Sequence, residues 1–355
     1  CFFCKELKIS NILINWYRND HRKLPWRETQ DPYHIWLSEI ILQQTRVDQG
    51  LPYYHKFVEQ FPTVRDLAAA EEQEILTLWQ GLGYYSRARN LHTAAKMVVE
   101  QHLGTFPNTY EELLQLKGVG EYTAAAIASF AYDLPYPVLD GNVYRVISRL
   151  FAIADPINKP AGQKVIKQAL ADIFDDKNSA LFNQAIMEFG AMHCTPKKPN
   201  CSECPFAANC LSLEYEKVDK LPYKEGKNKV RKVEHSYFFI SYDNKTYIEQ
   251  RTEGIWQNLF QFPLVEHHLN QEELMTELSH IMKPKAKPQI SLFYNTTHIL
   301  SHRKIDANFY TILVDTKPIF LKSNIFEIEM SQLGTEYPIS VLTQKFLNKR
   351  NNDDK

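Results

Sequence analysis

No apolar stretch in this 355-residue sequence approaches the roughly 20 residues that a membrane-spanning helix needs. The start shows no basic head leading into an apolar run, so neither secretion nor membrane insertion is expected. A surplus of either charge is also lacking: 41 Lys and Arg face 42 Asp and Glu, a net charge of −1. The chain as a whole therefore does not announce a nucleic-acid partner, and any grip on phosphate must come from local patches. One patch exists, with Lys220, Lys224, Lys227, Lys229 and Arg231 lying between Lys217 and Lys232 against only Asp219 and Glu225. Standing alone it reads as a solvated linker. Cys1 and Cys4 are assigned no role.

Strand signals are nearly absent before about Leu213. Apolar residues there recur every three or four positions in Ile9–Tyr17, Tyr33–Val47, Glu72–Leu78, Leu91–Val99 and Lys164–Phe174, the helical period. After the basic stretch the pattern changes. Ser236–Tyr242, Thr246–Arg251, Ile290–Thr296 and Asn308–Val314 are rich in β-branched and aromatic residues, and Asp243-Asn-Lys suits a hairpin turn. Asn270 with Glu273 predicts a capped helix to about Met282, and Ile339–Leu347 a shorter one. The reading is multidomain: a mainly α unit over 1–215, a basic linker over 216–233 and an α+β unit over 234–350.

Three constellations carry chemistry. Cys194, Cys201, Cys204 and Cys210 close the helical half with gaps of six, two and five residues. Disulfides are a poor reading for a chain in a reducing compartment. Zinc usually takes two tight Cys pairs, whereas four unevenly spaced thiolates suit a cubane iron–sulfur cluster better. Lys197 and Lys198, between Pro196 and Pro199, would then form a stapled basic loop able to meet phosphate. The second constellation is Leu116-Lys-Gly-Val-Gly-Glu-Tyr-Thr-Ala124. There Gly118 and Gly120 let the backbone turn tightly, and the amides at the following helix start attract an anion. Downstream, Val138-Leu-Asp-Gly-Asn-Val143 sets Asp140 at the predicted start of another helix, where Asp is also an ordinary N-cap. The third is Asp31-Pro-Tyr-His-Ile-Trp-Leu-Ser-Glu39-Ile-Ile-Leu-Gln-Gln-Thr45. Glu39 lies between Trp36 and an aliphatic run, and burial of that kind raises a carboxyl pKa.

Together these motifs resemble the helix-hairpin-helix DNA glycosylases, and within them the MutY-type adenine DNA glycosylases. Ser38-Glu-Ile-Ile-Leu-Gln-Gln-Thr45, Gly81-Leu-Gly-Tyr-Tyr-Ser-Arg87, Gly118-Val-Gly-Glu-Tyr122, Leu139-Asp-Gly-Asn-Val143 and the four cysteines follow the family in order. The resemblance implies a helical catalytic domain with its hairpin at about 112–131, and one 4Fe-4S cluster on a loop over 194–210. It further implies a Nudix-like C-terminal domain that reads 8-oxoguanine through Thr297-His-Ile-Leu-Ser-His302, with Ser301 and His302 facing that base. Leu300 stands there where an aromatic residue is more usual, and no Glu-rich Nudix helix follows Gly254-Ile-Trp256, so recognition without pyrophosphohydrolysis is expected.

The implied reaction is removal of adenine, flipped out of the duplex, from opposite 8-oxoguanine or guanine in base excision repair. Adenine leaves poorly as an anion, so Glu39 is the candidate acid that protonates it, in this family at N7. Asp140 is the candidate carboxylate that stabilises or captures the sugar cation. Resemblance adds Tyr122 and Asn142 as hydrogen-bonding partners. It also implies a pocket lined by Arg22, Leu24, Trp26 and Arg27, a gap-filling set of Gln44, Thr45, Leu82, Gly83 and Tyr84, and a base contact from Gln184. Strand-cleaving relatives such as endonuclease III carry a lysine where this chain has Tyr122, so base release without efficient nicking is expected. A monomer acting in the cytoplasm, nucleoid-associated if bacterial, completes the expectation. The alternatives are a thymine or uracil mismatch glycosylase, a strand-cleaving lyase, or a non-catalytic iron–sulfur DNA-binding protein.

Overall fold

A computed structural model describes residues 9–226, 230–283, 288–300 and 302–353. Ser301, Lys227 and Lys229 lie outside the described residues. The chain divides into two compact units, one holding residues up to Ala69 with Thr93–Lys227 and the other Ala70–His92 with Asn228–Lys355. Among the described residues no helix is long and apolar enough to cross a membrane.

The first unit is helical. Its elements are α1 (Ile9–Asp20), α2 (Pro32–Leu42), α3 (Val47–Gln60) and α4 (Val64–Ala69). After α5 (Glu72–Leu78), which belongs to the second unit, and α6 (Ser86–Gln101) come α7 (Tyr110–Leu113), α8 (Glu121–Tyr132), α9 (Gly141–Leu150), α10 (Pro160–Ala171), α11 (Ser179–Met192) and α12 (Leu211–Glu214). The helical stretch read over Tyr33–Val47 is two helices. Gln44 takes a φ of 58° between them, a left-handed turn that ends α2. α2 starts where Asp31 accepts from the Tyr33 amide and Pro32 occupies the first turn. Tyr33 and every residue from Ile35 to Ile41 are buried, so this helix sits inside the unit rather than on its surface. α8 packs against it through a run of small residues, Thr123 to Ser129, also buried. A separate core joins Leu13 and Tyr17 of α1, Val146 and Ile147 of α9, Ile166 of α10 and Phe182, Ile186 and Phe189 of α11.

The iron–sulfur module expected over 194–210, with its 4Fe-4S cofactor and metal-binding role, is not supported. Among the described residues no group of three or more His, Cys, Asp or Glu side chains could hold a metal ion. All four cysteines are free thiols lining one small cavity. Arg149 braces the loop instead. Its guanidinium donates to the carbonyls of Thr195 (2.7 Å), Pro196 (3.2 Å), Val218 (3.0 Å) and Leu221 (3.1 Å), and to Cys194 Sγ at 3.4 Å. Burial pushes the Cys204 thiol up to about 11 and raises that of Cys201.

The second unit is β-rich. β1 (Arg231–Tyr242) and β2 (Lys245–Gln250) form the expected hairpin, followed by β3 (Phe260–Gln261), β4 (Leu264–Val265), α13 (Gln271–Ile281), β5 (Met282–Lys283), β6 (Gln289–Ile299), β7 (Arg303–Leu313), β8 (Ile319–Phe320), β9 (Ile325–Glu329) and α14 (Val341–Asp353). The main sheet runs β3-β2-β1-β7-β6, with β1 and β7 parallel from Arg231↔Arg303 to Ser241↔Leu313. Alternate residues of β1 feed two cores. Tyr237 and Phe239 join Phe346 and Leu342 of α14, while Phe238 and Ile240 join Leu274 and Leu278 of α13. The sheet is thus covered by a helix on each face.

The Ala70–His92 segment is fastened within this β-rich unit. The Ile339 amide donates to Gln80 Oε1 at 3.0 Å, the Tyr85 hydroxyl donates to the Ile339 carbonyl at 3.2 Å, and Arg89 Nη1 donates to the Gln257 carbonyl at 2.9 Å. Phe346 is the central side chain of the α14 core. Fully buried, it stacks on Phe309 at 4.8 Å and meets Phe239, Phe262 and Phe293. Phe346→Ala is expected to cost about 3–5 kcal/mol in a urea unfolding measurement, through lost contact and the cavity left behind.

Candidate active site

Glu39 projects from the buried helix α2 and is 7 % exposed. Taking its charge out of water pushes the carboxyl up to about 7. The Tyr122 hydroxyl opposes that rise by donating to Glu39 Oε2 at 2.7 Å. Asp140 adds to it by like-charge repulsion, and Arg27 opposes it. Tyr122 is itself raised well above its ordinary value, first by burial and then by the two carboxylates, so it donates as a neutral phenol.

Asp140 reaches the same place from the start of α9. Its Oδ1 accepts from the Val143 amide at 2.7 Å, so the helix-capping role read from the sequence is real. Its Oδ2 accepts from Asn142 Nδ2, also at 2.7 Å. Burial raises this carboxyl above its usual range, and the donors from Val143 and Asn142 pull it back. The Asn142 amide is fixed in turn. Arg145 Nη2 donates to Asn142 Oδ1 at 2.8 Å and to the Gly190 carbonyl at 2.5 Å, and Arg145 Nε donates to the Cys194 carbonyl at 2.7 Å. Helix α11 comes so close that a β-carbon on Gly190 would lie 2.7 Å from Asn142 Cβ.

Both carboxyls line one cavity of about 560 Å³, within the range of small-molecule sites. Arg22, Leu24, Trp26 and Arg27 line it from the short turn before α2, with Thr45, Tyr122, Asn142 and Gln184. Gln184 accepts from the Tyr17 hydroxyl at 2.6 Å. Gln44 lines an adjoining cavity of about 300 Å³ that also meets Glu39, Tyr122 and Asp140. Among the lining residues that escaped the sequence reading are Arg145 and Glu188. The available signal for Glu188 was a lone charge inside the apolar run Ala185-Ile-Met-Glu-Phe189, the same signal that drew attention to Glu39.

The hairpin before α8 is built as its glycines suggested. Gly118 has a φ of 80°, and nothing lies within 4 Å of a β-carbon placed on Gly120, so its backbone is open to a partner. Leu82, Gly83 and Tyr84 belong to the second unit. Arg87 Nη2 donates to the Leu82 and Gly83 carbonyls at 3.3 and 3.1 Å, and Trp79 Nε1 donates to the Gly83 carbonyl at 3.0 Å. This loop buries Leu82 and leaves Tyr84 half-exposed. His302 is exposed at the turn between β6 and β7, while Leu300 packs partly buried against the α14 core. The cysteines, as described above, do not form a metal site.

The buried acid has a consequence for stability. A carboxyl raised on folding stabilises below its unfolded pKa and loses that contribution as pH rises through its folded value. Glu39→Gln is therefore expected to gain about 2–3 kcal/mol relative to the parent between pH 5 and pH 8. Denaturant melts at the two pH values check this, and an unchanged difference would remove the raised pKa.

Comparison with known proteins places this geometry. Residues 37–172 match the model described as "HhH-GPD superfamily base excision DNA repair protein". An adenine DNA glycosylase of Buchnera aphidicola subsp. Baizongia pistaciae is 36 % identical over 88 % of this chain and 88 % of its own length. The Homo sapiens adenine DNA glycosylase is 42 % identical over 59 % of this chain and 40 % of its own. A solved thermostable thymine-DNA glycosylase superposes with a TM-score of 0.54 at 28 % identity, covering 60 % of this chain and 97 % of that one. A relative more than 30 % identical across nearly nine-tenths of both sequences leaves no doubt of kinship: the chain belongs to the adenine DNA glycosylase family.

Proposed function

We propose that the protein hydrolyses the N-glycosidic bond of adenine opposite 8-oxoguanine or guanine in duplex DNA, acting as a monomer in the cytoplasm. The observation that carries this is the pair of carboxyls in one base-sized cavity, Glu39 raised to about 7 and Asp140 held by two donors. Enzymes that divide acid and base work between two carboxyls separate their environments in this way.

In the proposed sequence the adenine nucleotide is extruded into the cavity, and protonated Glu39 transfers its proton to N7. The C1′–N9 bond then breaks with its electron pair passing to the base, which leaves as neutral adenine. Positive charge develops across C1′ and the ring oxygen, and the Asp140 carboxylate stabilises or captures it. Water adds at C1′, Glu39 takes up the proton that water loses, and an abasic sugar remains. Asn142, fixed by Arg145, keeps Asp140 oriented throughout, and Tyr122 holds Glu39. A phenol at position 122 cannot form an imine, so the strand stays intact. Gly118 and Gly120 would hold a phosphate beside the flipped nucleotide. The C-terminal unit, with His302 at its β6–β7 turn, would read the opposite base.

Three outcomes follow. Asp140→Asn should lower single-turnover base release by about a thousandfold or more while duplex affinity changes little; unchanged turnover would remove Asp140 from the mechanism. The release rate should fall as pH rises through about 7, where Glu39 loses its proton, and a rate flat from pH 6 to 9 would remove Glu39 as the acid. Offered A opposite 8-oxoguanine, A opposite G, and T or U opposite G, the protein should release adenine, with a nick appearing only after alkali. Preferential release of thymine would transfer the assignment to the mismatch glycosylases.

A further inference from the structure

One buried carboxylate beside the cavity has no part in the sequence of steps above. Glu188, on α11 one turn beyond Gln184, has a fully buried side chain. It receives four hydrogen bonds: from the Arg22 amide (2.9 Å), Arg22 Nε (2.7 Å), Arg22 Nη2 (2.6 Å) and Arg27 Nη2 (2.7 Å). Burial works against its charge, yet the two arginines hold it ionised at about 2. A charge so placed persists only because it is paired, and two guanidiniums around one carboxylate leave one net positive charge. Arg27 is pinned on its other sides as well. Its Nη1 donates to the Arg22 carbonyl at 3.0 Å, and its guanidinium carbon stands 5.7 Å from the centre of the Tyr17 ring.

Arg27 lowers the pKa of Glu39 through space. The charged and titratable groups around the acid come from every neighbouring element: Tyr122 from α8, Asp140 and Arg145 from α9, Arg46 and Asp48 at the start of α3, Arg22 and Arg27 before α2, and Glu188 from α11. Glu188 alone among them is a buried anion bonded directly to the arginine that acts on Glu39. We propose that Glu188 is a positioning residue for the acid, fixing Arg22 and Arg27 as a partly neutralised pair and so limiting the positive charge that reaches Glu39. Without that anion, the unneutralised Arg27 guanidinium would favour the Glu39 carboxylate and deplete the protonated acid near neutral pH. The inference rests on Glu39 being the acid that protonates the leaving base.

The test is the pH profile of single-turnover adenine release from a duplex with A opposite 8-oxoguanine, measured for the parent protein, E188Q, E188D and R27Q. The alkaline limb of E188Q should move down by about one pH unit, giving about a tenfold slower release at pH 8 and a near-parental rate at pH 5.5. E188D, which keeps the charge, should hold the parental midpoint, and R27Q should move the limb upward. A uniform loss in E188Q with an unmoved midpoint would mark Glu188 as structural only and overturn the proposal. Should E188Q not fold, R27Q decides, and an unmoved limb there overturns it equally. A parent protein with no alkaline limb would instead remove Glu39 as the acid, a failure visible before any variant is compared.

Discussion

A carboxylic acid forced into the interior of a helical unit is the constraint to which the rest of the site answers. Glu39 sits on a helix buried on nearly all sides, where ionisation is opposed, and among the described residues one phenolic hydroxyl donates to its carboxyl. Neutral water would leave such a group ionised; here burial pushes its pKa up to about 7, so the protonated form persists near neutral pH. The surrounding charges then become adjustments to that state. Asp140 pushes the balance toward the acid and Arg27 pulls it back. The two carboxyls differ because their supports differ, one with a single donor and the other with a backbone amide and a side-chain amide.

Position is secured by a second layer that touches no reacting atom. Arg145 is spent entirely on acceptors of α9, α11 and the loop beyond, so the Asn142 amide is left one orientation, with its NH₂ toward Asp140. Gly190 permits the helix contact that this requires. On the opposite wall Glu188 does the same for Arg22 and Arg27. Both braces come from α11 or run to it, which makes that helix the common support of the two halves of the cavity.

Much of this was legible because chemistry and local structure coincide in short motifs. Asp140 carries a helix-start signature, the glycines of the hairpin mark a turn, and Glu39 interrupts an aliphatic run. The two sheet strands of the β1–β2 hairpin followed from β-branched and aromatic content around Asp243-Asn-Lys. Helix α3 hid behind Gly50 and Pro52, which argue against a helix in sequence terms. Helix α11 hid behind the lack of a side-chain cap at Asn178 and a face buried nearly all round, so no polar period shows. The cysteines misled for a different reason. Spacing reports order along the chain, whereas ligation needs side chains placed around an ion, and among the described residues no group of three or more His, Cys, Asp or Glu is so placed.

Sequence also could not disclose that a helical stretch from the first third of the chain folds with strands from the last. Gln80 and Tyr85 bracket the loop that carries Leu82, Gly83 and Tyr84, and both clasp the main chain of Ile339. Trimming the protein at its basic linker would accordingly do more than discard the β-rich unit. It would strip α5 and its loop of the scaffold they are riveted to, so an N-terminal fragment is a damaged enzyme rather than a minimal one.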